Sequence, residues 1–291
     1  MNVLASIPSP GNGTIDLGPL TIHMYGLMLL AAIAVCIWIA GTRYVNRGGD
    51  WDLIFRCAVW GVAAGIVGAR LYHLATSWNE VPDEWWGPFA IWKGGLGVWG
   101  GIAAGCLVGG MIAKRSGADV WLFADCLAPG LLVAQAVGRL GNWWNQELFG
   151  KPTGLPWGLE IDPVNRPLYS IDQATYHPAF LYEILWNLFA AALLVYVIER
   201  RFHPRPPGLF ALYIALYSFG RFWIELVRVD PANDILGLRV NTWVSALVFV
   251  AGIVWFVVAQ RRGRPPKPRK LATPPPRPTM AVPKSRVRRG G

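Results

Sequence analysis

The chain has 291 residues, of which 54% are hydrophobic and only 15% charged, with a formal net charge of +10. Soluble domains carry about 25% charged residues, so this composition excludes an ordinary water-soluble domain and indicates a membrane protein. The basic balance does not indicate nucleic-acid binding, because the eleven Lys and Arg residues from Arg261 onward supply the whole excess.

Seven apolar stretches are long enough to cross a hydrocarbon core about 30 Å thick, which takes roughly 20 helical residues. The first nineteen residues lack the basic start and the cleavage site of a secretory signal, so the first stretch is predicted to stay as a membrane anchor. The sequence therefore predicts an all-α polytopic membrane protein with seven transmembrane helices. These helices are predicted at 20–41, 53–75, 95–113, 120–138, 179–198, 207–227 and 240–260.

The distribution of Lys and Arg predicts which side of the membrane each loop faces, because cytoplasmic loops are enriched in these residues. The basic tail places the C-terminus in the cytoplasm, and seven spans then place the N-terminus outside. The short loops alone do not decide the orientation, since they hold seven cations on the tail's side against six on the other.

This orientation divides the chain into three parts. The tail is rich in Pro, Lys and Arg and is predicted to be disordered. Two roles are possible for the tail: it binds anionic lipid at the cytoplasmic face of the membrane, or it is a dispensable extension. The predicted parts are an outer N-terminal segment (1–19), a membrane domain (20–260) with an outer segment at about 139–178, and the cytoplasmic tail (261–291).

Glycine and cysteine residues are predicted to have structural roles and no part in the chemistry. Glycines recur every fourth residue in the second and third spans, a spacing that lets helix backbones approach closely. The four cysteines lie inside apolar runs without metal-ligand spacing and are predicted to be small core residues. The glycines concerned are Gly61 and Gly65, followed by Gly97, Gly101, Gly105 and Gly109.

Ionisable side chains within the predicted spans share one depth, in the outer leaflet, while the opposite halves of the spans are almost wholly apolar. A charge inside a bilayer costs several kcal/mol unless it is paired, so these residues are candidates for function. Tyr217, Arg221, Glu225 and Arg228 recur on one helix face. The converging residues are Tyr25, Arg70, Arg139, Glu183, Arg221 and Glu225.

Cationic side chains outnumber acidic ones in this layer. Guanidinium groups in a low-dielectric setting suit bidentate contact with a phosphate. An alternative is that Arg221 and Glu225 form a structural pair within the bundle.

One motif is more specific than the charge pattern: the run GRLGNWWN at 138–145, followed by Glu147. Together with five further motifs in chain order, this run resembles the prolipoprotein diacylglyceryl transferase family over about residues 20 to 260. The further motifs are YGLM at 25–28, GAR at 68–70, WKGG at 92–95, HP at 177–178 with LYE at 181–183, and RFWIE at 221–225.

The resemblance implies a multi-pass enzyme of the bacterial plasma membrane with its active site toward the outer leaflet. Such an enzyme transfers a diacylglyceryl group from phosphatidylglycerol to the lipobox cysteine thiol of a preprolipoprotein, and releases glycerol phosphate. The implied partners are phosphatidylglycerol, lipobox-containing signal peptides and membrane lipid. No cofactor, metal or nucleic acid is expected.

The resemblance also suggests roles for individual residues. Arg139 and Arg221 are predicted to hold the lipid phosphate and to stabilise charge on the leaving glycerol phosphate. Asn142 and Tyr25 are predicted to orient the head group or the attacking thiol. Glu147, Glu183 and Glu225 are predicted to position the arginines. These three glutamates are also predicted to contribute to substrate binding, together with Arg70, Tyr217 and Arg228.

The general base is left open by the sequence. Family members often carry a His in the glycine motif that begins the third span, whereas this chain has Trp99 before Gly100 and Gly101. His177 is the predicted replacement. The other possibility is that nearby guanidinium charge activates the thiol directly, by lowering a cysteine pKa from about 8.5.

A membrane transporter of an anionic substrate is the main alternative function. Polar residues in a Gly-rich bundle also describe an anion pathway, but a pathway requires polar groups that continue toward the cytoplasmic side. A non-catalytic factor for lipoprotein export and a lipid-to-sugar transferase are further alternatives.

Overall fold

Seven long helices occupy the seven predicted apolar stretches in the computed structural model, which describes residues 6–18, 20–229 and 234–262. All except α3 and α6 are long and apolar enough to cross a membrane. A mostly helical membrane fold is thus confirmed, and the count of seven spans stays a prediction. The helices are α1 (Met24–Val45), α2 (Trp51–Thr76), α3 (Val98–Arg115), α4 (Val120–Trp144), α5 (Ala179–Phe202, with π-helical geometry over Leu193–Glu199), α6 (Gly208–Glu225) and α7 (Val240–Arg262).

Three short antiparallel hairpins accompany the helices. The first hairpin delays α1 relative to the predicted start at residue 20, because Leu20–His23 pairs as a strand instead of joining the helix. The predicted tail lies outside the described residues, apart from Arg261 and Arg262. The hairpins are β1 (Thr14–Leu17) with β2 (Leu20–His23), β3 (Leu159–Glu160) with β4 (Thr175–Tyr176), and β5 (Asp234–Ile235) with β6 (Leu238–Arg239).

Helix α4 runs further than the sequence predicted. It begins at the N-cap Asp119, whose carboxylate accepts hydrogen bonds from the amides of Trp121 and Leu122 at 3.1 and 3.2 Å. Pro129 lies inside the helix without ending it, and the helix continues past the predicted end at 138 to Trp144. Arg139 and its neighbours therefore lie on the last turns of a rigid helix and not in a loop.

The glycines of α2 and α3 make the close helix contact that their spacing predicted. A Cβ placed on Gly65 would lie 3.3 Å from the carbonyl oxygen of Gly101, and one on Gly105 would lie 3.1 Å from that of Gly61. The closest approach lies at a pair that the spacing did not single out, since a Cβ on Gly100 would lie 2.2 Å from the carbonyl oxygen of Gly68, and one on Gly68 would lie 2.6 Å from that of Gly100. The two backbones are in direct contact here, so a larger side chain at Gly68 or Gly100 would force them apart.

The segment between α4 and α5 packs a small core of its own. Its buried side chains contact one another and are joined by Ile7, whose backbone pairs with that of Leu159. Gln146 fastens the segment to the end of α4, because its amide exchanges two hydrogen bonds with Asp162, at 2.6 and 2.8 Å. The core residues are Phe149, Leu159, Ile161, Tyr176 and Phe180.

The opposite end of the bundle is less apolar than the sequence analysis held. Asp125 is buried in α4, and its carboxylate accepts a hydrogen bond of 2.8 Å from the amide of Phe210, in the first turn of α6. Arg43 in the last turn of α1 and Arg47, just after α1, both pair with Glu199 of α5. Of these charges only Asp125 lies within a predicted span, because Arg43, Arg47 and Glu199 follow the predicted ends at 41 and 198.

Candidate active site

Glu183 joins two arginines from different helices at the end of the bundle where α4 and α6 finish and α5 begins. One carboxylate oxygen pairs with Nε of Arg139, and the other accepts a hydrogen bond from Nη1 of Arg221 at 2.8 Å. The Glu183 side chain is only 5% exposed, whereas the arginines are 21% and 17% exposed. The buried carboxylate thus holds two partly accessible guanidinium groups beside each other. We call these three residues the arginine bridge.

A second carboxylate, Glu225, fixes the far side of the bridge. It is fully buried and one of its oxygens accepts a hydrogen bond of 2.8 Å from Nη2 of Arg221. The same oxygen lies 3.8 Å from Nη1 of Arg228. The other oxygen faces Arg239 Nε and Asn241 Nδ2, each at 3.2 Å. Arg221 is therefore held by two carboxylates, one from its own helix and one from α5.

Asn142 extends the bridge toward the solvent. It is buried, accepts a hydrogen bond of 3.0 Å from Nη1 of Arg139, and donates one of 2.8 Å to Glu147. Asn145 donates a second hydrogen bond to the same oxygen of Glu147, at 3.2 Å. Glu147 can lie under the helix end because the residues on either side of it, Gln146 and Leu148, adopt left-handed backbone angles.

Tyr25 reaches the same helix end from the start of α1. A Cβ on Gly141 would lie 2.6 Å from the Tyr25 ring and 3.2 Å from its Cα, so α1 and α4 meet here at a distance that only glycine permits. Tyr25 is 43% exposed. It contacts α4 at Gly141, which precedes Asn142 and follows Arg139 by two residues.

Arg70 is placed differently from the other predicted residues. Its guanidinium is buried and donates to four backbone carbonyls at 2.7 to 3.0 Å. These contacts fasten the segment between α2 and α3 to the end of α2, and they are not contacts with the arginine bridge. The carbonyls belong to Gly87, Pro88, Gly94 and Gly95.

His177 lies just before α5, and its imidazole Nδ1 lies 3.0 Å from the hydroxyl of Tyr182. The indole of Trp157 donates a hydrogen bond of 3.2 Å to the same hydroxyl, so the Tyr182 hydroxyl is held between Trp157 and His177. Partial burial and the neighbouring Lys151 lower the pKa of His177 below its ordinary value of 6.5. The imidazole is therefore neutral at pH 7.

Tyr217 lies one helical turn before Arg221 on α6. Its ring stacks on that of Tyr213, with centroids 6.3 Å apart and planes inclined at 28°. Tyr213 in turn accepts a hydrogen bond of 3.0 Å from the side chain of Gln135 on α4. The polar face predicted for α6 therefore continues inward from the arginine bridge by two turns.

The comparisons with known proteins identify the family. Residues 12–258 match the family model described as prolipoprotein diacylglyceryl transferase. The chain belongs to this family.

Similar proteins include the phosphatidylglycerol–prolipoprotein diacylglyceryl transferases of Frankia alni and Cutibacterium acnes. The first is 48% identical over 89% of this chain and 69% of the relative, and the second is 47% identical over 88% of each. The corresponding protein of Paenarthrobacter aurescens is 46% identical over 89% of this chain and 85% of the relative.

Membership of the prolipoprotein diacylglyceryl transferase family confirms the family and the enzyme class that the sequence motifs indicated, and it favours a transferase over the transporter alternative. The geometry brings together Arg139, Asn142, Glu147, Glu183, Arg221, Glu225 and Arg228, as the motifs predicted. The sequence analysis missed Arg239 and Asn241 as partners of Glu225. The only available signal was their position at the start of the last apolar stretch.

Proposed function

We propose that this chain transfers the diacylglyceryl group of phosphatidylglycerol to the lipobox cysteine thiol of preprolipoproteins, the first step of bacterial lipoprotein maturation. Family membership and the names of the relatives support this reaction. The observation that carries it is the arginine bridge, in which a buried carboxylate holds two partly exposed guanidinium groups at one end of a membrane bundle.

The proposed topology has seven spans, an outer N-terminus and a cytoplasmic tail in the bacterial plasma membrane. The excess of cations in the tail supports this orientation. It puts the arginine bridge in the outer leaflet, where phospholipid arrives by lateral diffusion and where a signal peptide emerges after export.

Arg139 and Arg221 are proposed to bind the phosphate of phosphatidylglycerol. A guanidinium carries five N–H donors, and the contacts with Glu183, Glu225 and Asn142 engage only part of them. The thiolate sulfur forms a bond to the glycerol carbon of the diacylglyceryl group as the bond from that carbon to the phosphate oxygen breaks. The electron pair leaves with glycerol phosphate, and its negative charge is stabilised by donors that are already in place.

The surrounding residues are proposed to position these arginines and the substrates. Asn142 and Glu147 hold Arg139 from the solvent side, and Tyr25 contributes a hydroxyl near the head group. Arg228 is proposed to add positive charge beside Arg221, and Tyr217 to line the path of the lipid. For Arg70 we propose an indirect contribution to substrate binding, through the loop that it fastens.

The thiol proton has two possible acceptors. His177 is neutral, and in the tautomer with its proton on Nε2 it can accept a proton at Nδ1 through the Tyr182 hydroxyl. The arginines can instead stabilise the thiolate directly, so that the proton passes to solvent. A low pKa of His177 weakens it as a base, and the arginine field is therefore the proposal we favour.

The test uses purified protein in detergent, phosphatidylglycerol and a peptide that contains a lipobox cysteine. Wild type should release glycerol phosphate and add a diacylglyceryl mass to the peptide. Arg139→Ala and Arg221→Ala should lose both signals. The matched control is Arg56→Ala, which removes an arginine that is half exposed at the start of α2 and paired with Asp52 at 2.8 Å.

The outcomes separate the alternatives. Activity that survives in His177→Ala supports thiol activation by the arginines, and its loss in a folded variant supports the histidine. Absence of product from folded wild-type protein, alongside an active control enzyme, would overturn the proposed function.

A further inference from the structure

A hydrogen-bonded pair of polar side chains lies deeper in the bundle than the arginine bridge. Gln135 is four residues before Arg139 on α4, and Tyr213 is eight residues before Arg221 on α6. The amide nitrogen of Gln135 donates to the Tyr213 hydroxyl at 3.0 Å. With a rise of 1.5 Å per residue, Gln135 lies about 6 Å below Arg139, on the same face of its helix.

This pair satisfies only part of its own hydrogen-bonding capacity. The Gln135 carbonyl oxygen is buried and has no hydrogen-bond partner within residues 6–18, 20–229 and 234–262. Tyr213 accepts from the amide, so its hydroxyl still has a proton to donate. If the Gln135 amide is rotated by 180°, Tyr213 donates to its oxygen and both N–H groups remain as donors. Either arrangement leaves at least one donor and one acceptor in an apolar setting, where unpaired polar groups are costly.

The apolar surroundings hold the pair in place. The rings of Tyr213 and Tyr217 pack against a core of small and aliphatic side chains from α4, α5 and α6, which includes Ala128 and Leu132. The Tyr213 ring is fixed further by Phe210, at a centroid distance of 5.5 Å. A hydroxyl on a ring that is packed on both sides points in a defined direction, as a binding group must.

We propose that Gln135 and Tyr213 form a binding site for an ester group of the phospholipid substrate, an inference that rests on the proposed function. The ester groups of a glycerophospholipid lie a few bonds from its phosphate, toward the acyl chains. A phosphate bound to Arg139 and Arg221 therefore places an ester carbonyl at the depth of this pair. There the carbonyl oxygen accepts a hydrogen bond from the Tyr213 hydroxyl. The site recognises diacyl lipid by its carbonyl and not only by its phosphate.

The test compares phosphatidylglycerol with its diether analogue, which keeps the phosphate and the chains but lacks both carbonyls. For wild type, kcat/KM should be higher with the diester lipid. Tyr213→Phe removes only the hydroxyl and should lower kcat/KM for the diester roughly two- to twelvefold, the worth of one hydrogen bond, while it leaves the diether rate unchanged. Gln135→Leu should show the same selective loss.

Tyr196→Phe is the matched control, because Tyr196 is 62% exposed on the opposite half of α5 and should alter neither rate. An equal loss on both lipids in Tyr213→Phe and Gln135→Leu would mean that the pair serves the packing alone, and would overturn the inference. Unchanged selectivity in both variants would overturn it as well. Failure of the proposed function gives a different result, since wild type would then convert neither lipid.

Discussion

Replacing Glu183 with Gln tests whether the arginine bridge is held by one buried charge. The substitution keeps the size of the side chain and an acceptor oxygen, but it leaves two guanidinium groups facing each other without a counter-charge. Glu183 pairs with both arginines and its side chain is 5% exposed, so solvent screens little of the loss. Removing one partner of a buried ion pair costs about 3–5 kcal/mol, and we expect a loss of this size in the free energy of unfolding.

The effect on catalysis should exceed the effect on folding. The bridge sets the spacing of Arg139 and Arg221, and a displacement of about 1 Å in a catalytic group can cost about 100-fold in rate. We therefore expect kcat/KM for phosphatidylglycerol to fall about 100-fold at a temperature where the variant is still folded. Glycerol phosphate release measures the rate, and thermal unfolding in detergent measures the stability.

Glu199→Gln provides the matched control. Glu199 also joins two arginines, Arg43 and Arg47, but it does so at the opposite end of the bundle. It is 24% exposed, so we expect a smaller loss of about 2 kcal/mol in stability and unchanged kcat/KM. An equal loss of activity in both variants would refute the reasoning, because it would trace the effect to destabilisation. Full activity in Glu183→Gln would refute it too.

Three further predictions follow from other contacts. Arg221→Lys keeps the charge but cannot contact Glu183 and Glu225 together, so kcat/KM should fall at least tenfold while peptide binding is retained. The lowered pKa of His177 predicts a stability loss below pH 6.5, since the unfolded chain takes up the proton first; unfolding midpoints of His177→Gln at pH 5 to 7 should lack this loss. Gly68→Ala should lower the unfolding midpoint by several degrees, because its Cβ would lie 2.6 Å from the Gly100 carbonyl oxygen. Gly110→Ala should leave the unfolding midpoint unchanged, because a Cβ at this position would meet open space.

The sequence predicted the helices well and the partners of the charges only in part. A helix was found at each of the seven predicted apolar stretches, and five of these helices are long and apolar enough to cross a membrane. The end of α4 was placed too early, since Arg139 and Asn142 look like loop residues until their partners on other helices are known. Asp125 received no predicted role, because its partner, the amide of Phe210, is a backbone group that no sequence pattern displays.

The arginines of the sequence motifs have two different kinds of hydrogen-bond partner, a difference that their spacing in the sequence did not reveal. Arg70 and Arg139 both lie in the last two turns of a helix, in a glycine-containing motif, yet the donors of Arg70 go to backbone carbonyls and those of Arg139 to side chains. An arginine that fastens a loop and an arginine that meets a ligand have the same signature in one sequence. They differ only in what surrounds them after folding.

Exposure alternates along the hydrogen-bonded chain that contains the arginine bridge. Arg139 and Arg221 are partly exposed, whereas the groups that hold them, Asn142, Glu183 and Glu225, are buried. In the proposed reaction, a phosphate would meet guanidinium groups that buried carboxylates already hold in place. Donors that are fixed in advance need no reorganisation when the leaving oxygen acquires its charge. We therefore expect the buried glutamates to contribute to the rate through the arginines that they hold.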